Sequence, residues 1–228
     1  MAEFHSFAGF DGLAGFAAAS VAAHLRQGLA SRGKASLVVP GGRTPGPFFS
    51  ALAGHHLDWQ HVSVTLSDER WVDETSPLSN GALLRRTFLT GNAASAHFVP
   101  LYTGGESPEA GLAAAAENVA AMPLPFDAVV LGMGDDGHFA SLFPDEAVLE
   151  AGLDPDSEIL CVPASGPAGG PPRLSLTLSC LIRARHIYVL ATGAKKRDVW
   201  EKAQRLGVPA AALQELATPP VDFLWCEG

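Results

Sequence analysis

Three short polar segments, each placed directly after an apolar run, hold the residues whose types and spacing can do chemistry. The first is Gly41-Gly42-Arg43-Thr44-Pro45. Glycines let a backbone approach an anionic oxygen, and the free N–H groups at a helix start favour negative charge, so the segment suits a phosphate. It is not the G-x-x-x-x-G-K-[ST] loop of triphosphate sites, and an ordinary strand-to-helix turn has the same make-up. The second is Ser67-Asp68-Glu69-Arg70-Trp71-Val72, followed by Ser79-Asn80 at the start of a helix. Carboxylates and an arginine in such a place can bind sugar hydroxyls and steady a developing negative charge, though solvated loop charge is the plainer alternative.

The third segment runs Gly132-Met133-Gly134-Asp135-Asp136-Gly137-His138-Phe139-Ala140-Ser141-Leu142-Phe143-Pro144. Its glycines formally match G-x-G-x-x-G, yet Asp135 and Asp136 repel a pyrophosphate and Pro144 restricts the helix that should follow. Glycine-flanked Asp136 and His138 read better as side chains exposed in a turn. An imidazole titrates near pH 6.5, about where a general base is useful, which makes His138 a candidate base. Downstream, Arg173 opens a strand and Lys195-Lys196 starts a helix; either an arginine fork or a lysine point charge can close a phosphate site. The remaining histidines lack metal-ligand spacing: His55, His56 and His61 surround a loop, and His5, His24, His97 and His186 are isolated, so no metal is expected.

These segments need elements to position them, and the hydrophobic pattern supplies them. Leu13, Phe16, Ala17, Val21 and Leu25 form the stripe of an amphipathic helix over 11–31, ending near Arg32-Gly33. Residues 35–39 read as a strand buried on both faces, and Thr44-Pro45 as a helix start with threonine capping. Strands follow at 61–66, 126–131, 160–163, 174–177 and 186–191, and helices at 81–89, 110–122 and 195–206; a C-terminal strand ends Trp225-Cys226-Glu227-Gly228. Alternating strands and helices predict an α/β, Rossmann-like fold, a mainly parallel sheet with helices on both faces. Ligands of such sheets sit beyond the carboxyl ends of the strands, where all three polar segments fall. The Pro/Gly-rich stretch 165–172 reads as a surface loop, so residues 1–228 are expected to form a single domain.

Composition bounds the partners. The chain has 228 residues, 47% hydrophobic and 17% charged, which excludes a disordered or fibrous protein. A formal charge of −9 disfavours nucleic acid and anionic membranes and leaves an anionic small molecule possible where cations cluster. Cys161, Cys180 and Cys226 are odd in number and widely spaced, which points to reduced, buried thiols rather than disulfides or zinc. The N-terminus lacks a basic leader and the apolar stretch 12–25 is too short for a bilayer, so a cytoplasmic location is expected.

Taken in order, GGRTP, SDERWV followed by SN, LGMGDDGHFASLFP, PRLSLTLS and TGAKK resemble the 6-phosphogluconolactonase family, within the glucosamine/galactosamine-6-phosphate isomerase superfamily. The similarity spans nearly the whole chain, and GDDGHFASLFP is its most specific part. The resemblance implies cofactor-free hydrolysis of 6-phospho-D-glucono-1,5-lactone to 6-phosphogluconate, a step of the oxidative pentose phosphate pathway, in a monomer or small homo-oligomer. By position, Gly41, Gly42, Arg43 and Thr44 match the phosphate loop, with Arg173 and Lys196 completing it. Asp68 and Arg70 match the D-E-R motif, and Asp136 and His138 the D-G-H motif. Arg43 stands where many relatives have serine, which removes one hydroxyl from the loop. His138 is then the base that activates water; Asp136 orients it or binds a hydroxyl, and Arg70 serves the oxyanion or the phosphate. Two rivals remain: an amino-sugar phosphate isomerase-deaminase, and a non-catalytic sugar-phosphate sensor. Deaminases carry a glutamate five residues after the histidine, where this chain has Phe143.

Overall fold

The computed structural model describes residues 2–42, 44–166 and 170–228. In chain order the elements are β1 (Glu3–Phe7), α1 (Phe10–Arg32), β2 (Ala35–Val39), α2 (Gly46–Ala53), β3 (Val62–Leu66), β4 (Asp68–Arg70), α3 (Asn80–Thr87), β5 (His97–Val99), α4 (Pro108–Ala120) and β6 (Ala128–Gly132). Then follow α5 (Leu149–Leu153), β7 (Cys161–Ala164), β8 (Arg173–Leu176), α6 (Leu178–Leu181), β9 (Ile187–Thr192), α7 (Ala194–Glu201), α8 (Ala203–Leu206), α9 (Ala210–Glu215) and β10 (Val221–Cys226).

Seven strands form a parallel sheet in the order β1-β10-β9-β6-β2-β3-β5. Every residue of β2 is buried, as its unalternating Ala-Ser-Leu-Val-Val demands of a central strand covered on both faces. Helix α1 lays Leu13, Ala17, Val21 and Leu25 on the core, and Gly33 ends it in the left-handed region at φ 69°. Phe16 departs from the expected stripe: it stays exposed, its ring 5.5 Å from that of His5 and 5.3 Å from that of Phe7. All three cysteines are buried free thiols. No described helix is long and apolar enough to cross a membrane.

A second, antiparallel sheet, β4-β8-β7, was not expected and corrects the reading of 160–163 and 174–177 as members of the parallel sheet. Ser67 is the hinge between the two: its N–H donates to the Val39 carbonyl of β2, while its carbonyl accepts from Leu176 of β8. The chain thus leaves the carboxyl end of β3 and immediately enters β4. Both sheets contribute to one hydrophobic core. Two further readings change. The helix expected over 195–206 is two, α7 and α8, and Pro45 rather than Thr44 occupies the cap position of α2, with no side-chain cap bond.

Candidate active site

At the hinge, the sequence Ser67-Asp68-Glu69-Arg70 sorts its side chains by strand alternation. Glu69 is buried and turns towards the start of α3, where its carboxylate accepts from the N–H groups of Arg70 (2.7 Å), Asn80 (2.8 Å) and Gly81 (2.6 Å) and from the Ser79 hydroxyl (3.2 Å). Burial pushes the Glu69 carboxyl up, and the N–H groups of Asn80, Gly81 and Arg70 pull against it. Ser79 in turn caps α3 by accepting from Ala82 N–H. This knot fixes Asn80, whose amide donates to the Asp68 carbonyl (3.0 Å) and whose Oδ1 accepts from Arg70 Nη1 (2.6 Å) and Gly42 N–H (3.3 Å). Glycine at 41 is required here, since a Cβ would lie 2.0 Å from the Asn80 amide nitrogen. Gly42, at φ 82°, needs the left-handed region that glycine enters freely.

Antiparallel pairing of β4 with β8 sets Arg70 directly opposite Arg173, and Asp68 opposite Ser175. Like charges facing across a ladder destabilise it unless an anion lies between or beside them. Asp68 supplies part of that charge: its Oδ2 is 3.6 Å from Arg173 Nη1 and accepts from the Ser141 hydroxyl at 2.6 Å. Burial lowers the Arg173 guanidinium below its ordinary range, Asp68 opposes this, and Arg70 adds to it. Among the described residues, neither the Nε atom of Arg70 nor that of Arg173, both buried, has a hydrogen-bond partner. A buried guanidinium N–H left unmade is costly, so an arriving anion is favoured here.

The turn after β6 is closed by Gly134 N–H donating to the His138 carbonyl (2.9 Å) and Gly137 N–H to the Gly134 carbonyl (3.1 Å), with Gly137 at φ 80°. Within it, Nδ1 of His138 lies 2.5 Å from Oδ1 of Asp136. Burial works to raise the Asp136 carboxyl, but the imidazole beside it and the hydrogen bonds from His138 prevail and hold it below the usual carboxylate range. A Cβ at Gly134 would sit 2.2 Å from the imidazole, so glycine there leaves room for the ring. Behind the imidazole, the Phe143 ring packs at 4.3 Å between centroids, and the Arg173 guanidinium lies 5.3 Å from the same ring. Ala140, a non-glycine residue at φ 51°, turns the chain between them.

One cavity of about 240 Å³ unites these parts at the carboxyl ends of the parallel strands; Gly41, Gly42, Thr44, Asp68, Arg70, His138, Arg173 and Lys196 all line it. Asp136 does not; it sits behind the imidazole with about half of its side chain exposed. Arg43 lies outside the described residues. Asn80 and Met133 also line the cavity and were not singled out as site residues. For Asn80 the signal was present in the Ser79-Asn80 pair, which reads as a helix start and hides the contact back to Gly42. His5, isolated in sequence, has its imidazole near Glu3 and Asp222, far from this cavity. The lysine neighbours divide: Lys196 faces the cavity, while Lys195 pairs with Asp135 at 3.4 Å on the exposed rim.

Comparison with known proteins follows the same line. Residues 10–222 match the model of the family described as glucosamine-6-phosphate isomerases/6-phosphogluconolactonase. A 6-phosphogluconolactonase of Rhizobium meliloti is 40% identical over 228 residues, covering 98% of each chain. That of Pseudomonas putida is 41% identical over 97% of this chain and 92% of its own. Among solved structures, a 6-phosphogluconolactonase from Shewanella baltica superposes with a TM-score of 0.94 at 37% identity, covering 99% of this chain and 98% of that one. A monomeric glucosamine-6-phosphate deaminase shares the fold at a TM-score of 0.78 and 17% identity, covering 98% of this chain and 97% of its own, so the fold alone does not separate the two chemistries. The chain therefore belongs to the glucosamine-6-phosphate isomerase/6-phosphogluconolactonase family, as an enzyme on its lactonase side.

Proposed function

We propose that the chain hydrolyses 6-phospho-D-glucono-1,5-lactone to 6-phospho-D-gluconate, a step of the oxidative pentose phosphate pathway, with His138 as general base. The observation that carries this reading is the placement of a carboxylate-held imidazole and three cations, Arg70, Arg173 and Lys196, around one cavity. Asp136 beside Nδ1 selects the tautomer with its proton there, which leaves the Nε2 lone pair for water. Nε2 takes a proton as the water oxygen attacks the lactone carbonyl. When the tetrahedral intermediate collapses, the imidazolium returns that proton to the departing ring oxygen, which becomes the hydroxyl of the open-chain acid. No covalent enzyme intermediate is needed.

Gly41, Gly42 and Thr44 bind the 6-phosphate with Arg173 and Lys196, and Arg70 meets the developing oxyanion. Two features support that division. The Nη1 of Arg70 is already committed to Asn80 and to the Leu78 carbonyl (3.0 Å), which holds the fork rigid while its Nε remains unpaired. Pre-aimed donors of this kind stabilise charge that develops in the transition state. Asp68 acts at one remove, bracing Arg173 and the Ser141 hydroxyl.

Phe143 argues against deamination. It packs on the His138 ring, where a deaminase needs a glutamate to relay protons, and an apolar ring relays none. The test is a direct assay with both substrates, corrected for spontaneous lactone opening. Accelerated lactone hydrolysis with no ammonia from glucosamine 6-phosphate is expected. Stoichiometric ammonia, with lactone opening at the buffer rate, overturns the assignment. Glucono-1,5-lactone without its phosphate is expected to be a poor substrate.

A further inference from the structure

At the end of the parallel sheet opposite the cavity, where β1 and β10 begin, Glu3, His5 and Asp222 converge. Glu3 and Asp222 are register partners across the β1–β10 ladder, and His5, two residues beyond Glu3, projects from the same face. Nε2 of His5 lies 3.6 Å from Oδ1 of Asp222 and 3.9 Å from Oε1 of Glu3. Both separations exceed a hydrogen bond, and Nε2 is a buried atom with no hydrogen-bond partner among the described residues. One ligand atom from each residue falls within 4.8 Å of the other two. A tetrahedral metal with bonds of roughly 2.0 to 2.2 Å spaces its ligand atoms about 3.4 Å apart, and the two distances from Nε2 exceed that by only a few tenths of an ångström.

The surroundings fit the same picture. The second oxygen of Asp222, Oδ2, lies 3.0 Å from Nε2 of His186, whose ring is stacked on Tyr188 at 4.4 Å. This contact lacks hydrogen-bond geometry, and no described residue hydrogen-bonds that nitrogen, so neither oxygen of Asp222 is committed by a hydrogen bond from His186. Without a cation, two carboxylates repel each other at this end of the ladder.

We propose that Glu3, His5 and Asp222 bind a divalent cation of the zinc class, with solvent in the fourth position, clamping the edge strand β1 to β10. One imidazole nitrogen with two carboxylate oxygens suits zinc, whereas magnesium and calcium favour oxygen-only sites. The site is separate from the hydrolytic cavity, so its role is structural. A cation bound only by the folded chain stabilises it by mass action.

The test uses the full-length protein without an affinity tag, titrated with zinc chloride by calorimetry, and with cobalt as a spectroscopic substitute. One zinc per chain, tetrahedral-type cobalt bands and a raised melting temperature are expected. His5→Ala and Asp222→Asn should each weaken zinc binding by about tenfold or more, with lactone hydrolysis unchanged. His138→Ala should bind zinc as wild type does, which separates this site from the His138–Asp136 pair. Because Asp222 also meets His186, Asp222→Asn can weaken the fold; His5→Ala, checked by circular dichroism, keeps the test decisive. No zinc uptake with zinc in large excess, undiminished uptake in folded His5→Ala, or loss of uptake in His138→Ala each overturns the proposal.

Discussion

His138→Ala removes the one imidazole lining the cavity among the described residues, while its neighbours Asp136 and Phe143 do not line it and sit against the ring. Hydrolysis is expected to fall by roughly 10²- to 10⁴-fold with the fold retained, about 3 to 5 kcal/mol of transition-state stabilisation. Near-normal turnover by the folded variant would remove His138 from the reaction. Asp136→Asn keeps the shape but loses the charge that selects the tautomer, so kcat should fall with KM nearly unchanged. The same substitution has a signature in stability. The folded Asp136 carboxyl is held below its unfolded value, so its pairing stabilises the native state above the unfolded carboxylate range and is lost as pH falls through the folded value. Urea midpoints of wild type and Asp136→Asn should therefore differ near neutrality and converge as pH drops below about 4. Since the carboxyl is half exposed, the difference should be small. A gap that widens on acidification would contradict the sign.

Between single residues and the whole fold lies the β4–α3 knot, where Glu69 gathers four donors and Asn80 ties Arg70 to the loop before α2. Asn80→Ala should leave Arg70 held by the Leu78 carbonyl without its amide tether and lower kcat/KM, with a loss of about 1.5 to 3 kcal/mol for a hydrogen bond to a charged group. Gly41→Ala must displace the Asn80 amide and should raise KM more than it lowers kcat, because the phosphate loop is what it shifts. Equal KM values for wild type and Gly41→Ala would detach that loop from substrate binding. The glycine loop, the D-G-H turn and Lys196 were legible in sequence because each follows a strand readable from an apolar run, and Arg173 because it opens one. The knot was not. Asp68-Glu69-Arg70 is a three-residue strand made wholly of charged residues, and only its pairing with β8 makes it one. Nor does any local pattern announce that Arg70 and Arg173 face each other, since ladder register is a tertiary fact. β1 and β5 escaped for a related reason: each is short, at a sheet edge and incompletely buried, so alternation is weak.

Across the whole molecule, a chain of net charge −9 presents its cavity cations to an anionic substrate against an unfavourable overall field. Lys196→Ala and Arg173→Ala should each weaken binding of 6-phosphogluconate by about 1.5 to 3 kcal/mol in calorimetry, the loss of a charge-assisted hydrogen bond. Unchanged affinity in both would misplace the phosphate. The two variants should differ in salt dependence. Half-buried Lys196 is screened by added salt, at a Debye length of about 10 Å in 0.1 M, whereas Arg173, braced by buried Asp68, is screened less. The parallel sheet was readable because its central strands are unbroken apolar runs, while the antiparallel layer that carries the cavity residues Asp68, Arg70 and Arg173 emerged only with the structure.

The pairing of β1 with β10 joins residues 3–7 to residues 221–226, nearly the largest sequence separation the chain allows. During synthesis, therefore, β1 has no partner until β10 emerges, and β9 presents an open edge from its own emergence until then. Loop-closure cost and contact order place this docking late in folding, after the central strands have gathered. A nascent or clipped chain that lacks β10 would thus display one unpaired strand, β1, and one open edge, on β9, whose other edge is paired with β6. Its vulnerability to aggregation is set by how quickly β10 is delivered.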